Sequence, residues 1–299
     1  MTRYKGEILL FLAALIWGSS FIFQKMGMDY VGPFTFGFFR FTIGGLVLLP
    51  LIFVFDGIKR KQGRDAEIPS IKDKTMWTGG ILCGLTQFGA GGAQQIGLIY
   101  TTAGKAAFIT AMYIVIVPIM MLILRRKVKL ITWIGIAIAV FGLYLLCITE
   151  GFTIQLGDGM EMVSALIYAV QLLLIDHYAD RTEPLRFATI QFLIAGILSG
   201  AVALGFESIT IAAIVACAVP ILYTGFLEVA AAYTLEIFGQ QTTAPPVAAV
   251  ILSLEAAIGA VCGALFLHEV MTGREIIGCV LMMAAFLIVQ LADMKKEES

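Results

Sequence analysis

One pattern occurs twice in this chain, and its second copy has lost the positive charge. LAALIWGSSFIFQK followed by GPFTFGFFRFTIGG near the start returns, 151 residues later, as VSALIYAVQLLLID followed by EPLRFATIQFLIAG. The shift sets Leu15-Ile16-Trp17 on Leu166-Ile167-Tyr168, Pro33 on Pro184, Phe41 on Phe192 and Gly45 on Gly196. The first copy is followed by Lys59, Arg60, Lys61, Arg64, Lys72 and Lys74, whereas residues 206–218 after the second hold no Lys or Arg. Lys and Arg collect on the cytoplasmic side of membrane spans, so a repeat that drops its basic loops is one lying the other way up. That organisation belongs to carriers.

Composition demands the membrane. The chain has 299 residues, 60% hydrophobic and only 14% charged, with mean hydropathy +0.94. Soluble domains need about 25% charged residues to cover their surface. The apolar runs reach about 20 residues, enough for a helix to cross about 30 Å of hydrocarbon. Arg3 and Lys5 ahead of an apolar run resemble a secretory signal, but the run recurs as an internal repeat and reads as a retained first span. Cys83, Cys147, Cys217, Cys262 and Cys279 are scattered without C-x-x-C spacing and read as small apolar packing residues.

Breaks in hydropathy predict helices over 7–26, 33–55, 76–99, 103–124, 130–148, 157–176, 186–205, 219–239, 245–267 and 273–293. Pro33, Pro184 and Pro245-Pro246 open spans, where a missing N–H costs little, while Pro118 inside span 4 should bend it. With the N-terminus in the cytoplasm, 16 of the 20 Lys and Arg fall on cytoplasmic segments. They include Arg125, Arg126, Lys127 and Lys129, then Arg181 and Arg186, and finally Lys295 and Lys296. Only Lys25, Lys105 and Arg274 fall outside, with Arg40 inside a span. The expected fold is therefore an all-α integral membrane protein. Its ten transmembrane helices form two inverted five-helix repeats, residues 1–150 and 151–299, with both termini cytoplasmic.

Four stretches also resemble the EamA-type permeases of the drug/metabolite transporter superfamily: ALIWGSSF (14–21), PFTFGFFRF (33–41), YTTAGKAAFITAMYIVIVP (100–118) and LSLEAAIGAVCGALFLHE (252–269). They fall in both halves and span nearly the whole chain. The family's usual proline after the span-9 glutamate is Ala256 here. The resemblance implies a ten-helix inner-membrane carrier, commonly an exporter of amino acids or other small metabolites.

An ionisable side chain in hydrocarbon costs about 2.5–3.5 kcal/mol, so each deep one needs a partner, a cavity or a task. Arg40, Gln87, Glu228, Glu236 and Glu255 are the deep polar candidates. A second shift, of 141 residues, sets Thr101-Thr102-Ala103 on Thr242-Thr243-Ala244, Gln87 on Glu228 and Gln95 on Glu236. Small residues flank both Gln87 and Glu228, which suits either a polar pair joining spans 3 and 8 or a cavity lining. Glu255 reads either as half of an ion pair, with Arg40 about 6 Å away in depth, or as a protonatable coupling site. Glu236 lies toward the cytoplasmic end of its span, placed for snorkelling or gating.

Trp17, Tyr113 and Tyr168 sit mid-span instead of in the interfacial aromatic belt. With Gln87, Glu228 and Glu255 they share one depth, where inverted-repeat carriers hold substrate, and Ser19, Ser20, Gln24 and Gln171 extend the lining. The candidate substrate-binding set is Trp17, Gln87, Tyr113, Tyr168, Gln171 and Glu228, with Glu255 and Arg40 for proton coupling or ion pairing.

G-x-x-x-G at Gly80/Gly84, Gly196/Gly200 and Gly259/Gly263 reads as tight packing within a monomer or a weak homodimer. His177 and His268 lie at opposite span ends, no cofactor or metal motif is present, and acidic residues among the basic ones of the 2–3 loop argue against nucleic acid. The expected partners are the lipid bilayer, a small-molecule substrate and protons. The alternatives are a passive channel, disfavoured because no ring of like charges is visible, and a membrane enzyme on lipid-linked substrates, disfavoured by the short loops.

Overall fold

Backbone groups in hydrocarbon find no water, so an apolar run must bond to itself, and helix is the form that does so. The computed structural model describes residues 3–63, 69–70, 73–101, 103–148, 155–266 and 271–294, and it is helical throughout. Arg64, Lys72, Thr102, His268, Lys295 and Lys296 lie outside the described residues.

In chain order the helices are α1 (Arg3–Gly27), α2 (Pro33–Lys61), α3 (Lys74–Tyr100), α4 (Ala103–Thr110), α5 (Tyr113–Ile123), α6 (Leu130–Cys147), α7 (Leu156–Tyr178) and α8 (Pro184–Phe206). After these come α9 (Ile211–Ala216), α10 (Ala218–Tyr223), a π-helical segment (Thr224–Tyr233), α11 (Thr234–Gln240), α12 (Pro245–Leu252), α13 (Leu254–Phe266) and α14 (Gly273–Met294). Among the described residues, eight helical stretches are long and apolar enough to cross a membrane. α3 has the length, 27 residues, but carries Gln87, Gln94 and Gln95 among its glycines.

Pro33 and Pro184 stand in the first turns of α2 and α8, as expected. Asp73 caps α3, and Gln155 with Asp158 forms a reciprocal capping box at the start of α7. The bend expected from Pro118 lies earlier. The helix breaks at Ala111–Met112, between α4 and α5, and Pro118 sits inside α5. The 141-residue shift carries Met112 onto Ser253, where α12 gives way to α13, so both copies break at one place. The bend of that span survives without a proline at position 256.

The burial pattern is that of a protein in lipid. Phe53, Leu204, Phe206 and Ile211 are between 72 and 87% exposed, whereas Arg40, Gln87, Gln95 and Glu161 are 0% exposed. Apolar side chains face out and polar ones face in.

α2 and α8, equivalent under the 151-residue shift, pack antiparallel. Gly37 abuts Ser199 and Gly45 abuts Leu193, while Gly196 abuts Thr42 and Gly200 abuts Phe38. Both ends of the pair are clamped by equivalent residues. Glu207, at the C-terminal end of α8, accepts the Phe34 and Thr35 backbone N–H groups at 2.9 and 2.7 Å, and its counterpart Asp56 pairs with Arg186. α6 and α14 are likewise antiparallel, with Gly135 against Val289 and Gly142 against Gly278.

The remaining contacts also survive exchange of the two copies. α3 packs on α7 as α1 packs on α10, the π segment and α11. α3 packs on α8 as α2 packs on the π segment, and α1 meets α12 and α13 as α7 meets α4 and α5. The helices of each half therefore rest mainly on those of the other.

Candidate functional site

The interlocking halves leave one polar region at their centre. α1 enters it with Trp17, Phe21 and Gln24, and α3 with Gln94. The broken α4–α5 pair supplies Thr110 and Tyr113, and α7 supplies Tyr168 and Gln171. The π segment contributes Glu228 and Tyr233, α11 Glu236, and α12 and α13 Leu252 and Glu255. Among the described residues no Lys, Arg or His lines this cavity. About 40 Å³ is left for solvent, room for about three waters.

Six of the sequence candidates, Trp17, Tyr113, Tyr168, Gln171, Glu228 and Glu255, meet here. Gln87 lies one layer behind. Its Oε1 accepts from Gln171 Nε2 at 2.6 Å and from Gln191 Nε2 at 3.2 Å, which ties α3 to α7 and α8. Gln87 and Glu228, equivalent in the repeat, are thus not a pair joining spans 3 and 8. Glu228 looks the other way, toward α2.

Arg40 corrects an expectation. Its Nη1 donates to Glu228 Oε1 at 2.9 Å, not to Glu255. The guanidinium stacks over Phe41 at 4.6 Å and Phe36 at 5.5 Å from the ring centres, fully buried. The reason lies in helix rotation: α2 packs against the π segment, so a side chain facing that segment meets Glu228 before it meets α13. Glu255 takes a hydrogen bond from Tyr113 Oη at 3.3 Å instead.

Glu236 corrects another. Expected near the cytoplasmic end and close to water, it is 4% exposed, lines the cavity and accepts from Gln240 Nε2 at 2.9 Å. A π turn widens the helix and re-aims the residues beyond it, and π segments gather at functional sites. Of the polar residues expected to extend the lining, Gln24 and Gln171 do so. Ser19 and Ser20 bond to the Ile16 carbonyl of their own helix, and Ser19 also meets Tyr223 Oη at 2.5 Å.

Three polar lining residues, Tyr233, Gln94 and Thr110, are not among the sequence candidates. Tyr233 packs on Trp17 with ring centres 4.7 Å apart and meets Tyr168 Oη at 3.3 Å. Gln94, two turns after Gln87 on the same face of α3, accepts from Tyr168 Oη at 3.5 Å. Thr110 ends α4 at the helix break. A face-by-face reading from Gln87 would find Gln94. Trp17 Nε1, Gln171 Oε1, Glu228 Oε2 and Glu236 Oε2 have no hydrogen-bond partner among the described residues, so the cavity offers both donors and acceptors. The described residues hold no His, Cys, Asp and Glu group fit for a metal ion.

The EamA-like transporter family pattern matches residues 4–148 and again 155–291. A protein of Archaeoglobus fulgidus named as an uncharacterized transporter is 32% identical over 299 residues, covering 97% of this chain and 87% of its own. A second from the same organism, with the same name, is 32% identical over 105 residues, covering 35% of this chain and 33% of its own. One crystal structure shares the fold, with a TM-score of 0.77 at 17% identity, covering 99% of this chain and all of that one. Two consecutive matches and a relative alike over nearly its full length establish that this chain belongs to the EamA-like transporter family.

Proposed function

We propose that the chain is a secondary active transporter of small organic metabolites, amino acids or related amine-bearing compounds, exporting them across the cell inner membrane by alternating access. In this reading ten helices cross the bilayer, α3 and α14 among them. Residues 1–150 and 151–299 form inverted halves, and both termini face the cytoplasm. Antiparallel packing of the equivalent helices α2 and α8 supports the inversion, because a two-fold axis relating them runs perpendicular to the helices and hence in the membrane plane.

The observation that carries the reading is the central cavity, lined from both halves. Rocking one half against the other would open it to each side in turn. Trp17, Tyr113, Tyr168 and Tyr233 offer aromatic faces to the carbon skeleton. Glu228, Glu236 and Glu255 offer carboxylates to an ammonium group, and among the described residues only Glu228 is met by a guanidinium. Glu255, held by Tyr113, is the candidate for exchanging a proton with the substrate.

The test is counterflow in proteoliposomes, with amino acids and simple amines chosen by thermal-shift screening. Internal unlabelled substrate should stimulate uptake of the labelled compound severalfold. Uptake indifferent to internal substrate would make the protein a passive channel.

A further inference from the structure

A further buried acidic side chain, Glu161, stands outside the central cavity, and neither the sequence pattern nor the cavity explains it. Glu161, in the second turn of α7, is 0% exposed. Its Oε2 accepts the Thr110 hydroxyl at 2.7 Å. Its Oε1 lies against Gly97 of α3, where no side chain intervenes, and has no hydrogen-bond partner among the described residues. Thr110 bonds Glu161 and also lines the central cavity. Three residues further on, past the helix break, Tyr113 lines the same cavity and bonds Glu255.

The repeat supplies a control built into the fold. The 151-residue shift carries Glu161 onto Leu10, and the 141-residue shift carries Thr110 onto Ile251. Leu10 and Ile251 are 0% and 1% exposed, and both belong to one apolar cluster. An aliphatic pair therefore satisfies the packing at the equivalent place. A carboxyl group buried among membrane helices is expensive and marks ion or proton pathways.

Resting on the carrier reading, we propose that Glu161 and Thr110 form a proton-binding site that passes protons between the N-terminal end of α7 and the central cavity. Asp158, one turn nearer that end, accepts from Thr101 Oγ1 at 2.6 Å and lies 3.6 Å from Lys105 Nζ. The titratable groups lining the cavity that Thr110 borders are Tyr113, Tyr168, Glu228, Tyr233, Glu236 and Glu255; α12 has none, and α3 presents Gly97 to Glu161. In the structure the Thr110 hydroxyl donates to Glu161 Oε2. Once that hydroxyl turns toward the cavity, a protonated Glu161 gives its proton to Thr110 Oγ1 as Thr110 gives its own to an acceptor there. Two O–H bonds break and two bonds to hydrogen form, and the net change is one proton passed from Glu161 to the cavity.

The relay is tested by an acid jump on detergent-purified protein, with hydronium as the only probe. Trp77→Phe and Trp133→Phe leave Trp17, which packs on Tyr233 in the cavity, as the sole tryptophan. In that background Trp17 emission should change after the jump. The rate should fall at least tenfold in Glu161→Gln and in the double variant Glu161→Leu with Thr110→Ile. The double variant copies the Leu10–Ile251 pair, so it keeps a folded test available if Glu161→Gln unfolds. An unchanged rate in the folded double variant, or no response of Trp17 before either change, overturns the proposal. Because no transported compound is involved, a carrier that lacks this relay still shows counterflow, and a relay without counterflow sinks only the carrier reading.

Discussion

α3 and its counterpart, the stretch running from α10 through the π segment to α11, began as one element and now differ in two ways. α3 is an unbroken α-helix whose central side chain, Gln87, is neutral and bonds only to other amides. The counterpart changes helical type midway, places Glu228 where Gln87 stands, and pairs it with Arg40. Further along it, Glu236 replaces Gln95, which bonds Gln24 in the first copy. The neutral copy needs no counter-charge and packs as a rod with small residues against α7 and α8. The charged copy needs Arg40 from α2, and its irregular backbone aims two carboxylates into the cavity. The scaffold is thus shared, and the chemistry is concentrated in one copy.

The sharpest way to break this comparison is to remove the counter-charge. Arg40→Leu leaves Glu228 buried and unpaired, a loss of about 3–5 kcal/mol. Thermal or denaturant unfolding of the purified protein should show it, and adding Glu228→Leu should restore most of the stability. If Arg40→Leu alone is harmless, Glu228 is not held as an anion. On the neutral side, Gln87→Leu strips one acceptor from Gln171 and Gln191 and should cost about 1–3 kcal/mol by the same measurement. Equal losses for the two variants would erase the distinction between an ionic and an amide copy.

The next effect probes how closely the charged copy must be approached. A Cβ on Gly44 of α2 would overlap Val229 of the π segment and lie 3.2 Å from the Gly225 carbonyl. Gly44→Ala should cost about 1–3 kcal/mol through overpacking. Gly91 of α3 is a milder case, because a Cβ there meets the ends of Arg40 and Phe41 at 3.1 Å, side chains with some freedom to yield. Gly91→Ala should therefore be the less destabilising of the two, as read from melting temperatures.

Repetition made much of this molecule legible in its sequence. The two shifts locate the helices and match Gln87 with Glu228, and depth alone gathers five of the lining residues, Trp17, Tyr113, Tyr168, Glu228 and Glu255. Depth says nothing of rotation about a helix axis, and so it matches Arg40 with Glu255, which lies at a suitable height but on the wrong side. Glu236 is misplaced for a related reason. A regular helix would leave it nearer the end of the span, and nothing in TGFLEVAAAY announces a π turn, since the register of the repeat is unbroken across it. Glu161 gives no signal in the sequence because it falls in the second turn of its span, where water is ordinarily close. Its burial comes from Gly97 and Thr110 on two other helices.

The smallest expected effect concerns the contact that distinguishes Glu255 from Glu228. Tyr113 donates one hydrogen bond of 3.3 Å to Glu255, so Tyr113→Phe should cost about 1 kcal/mol or less and leave the fold intact. Its value is functional. If Glu255 exchanges protons with the substrate, removing the hydroxyl that orients it should lower proton-driven accumulation severalfold more than exchange between loaded compartments. Glu255→Gln should widen that gap to at least tenfold. If both variants depress the two activities alike, Glu255 serves binding or structure and not coupling.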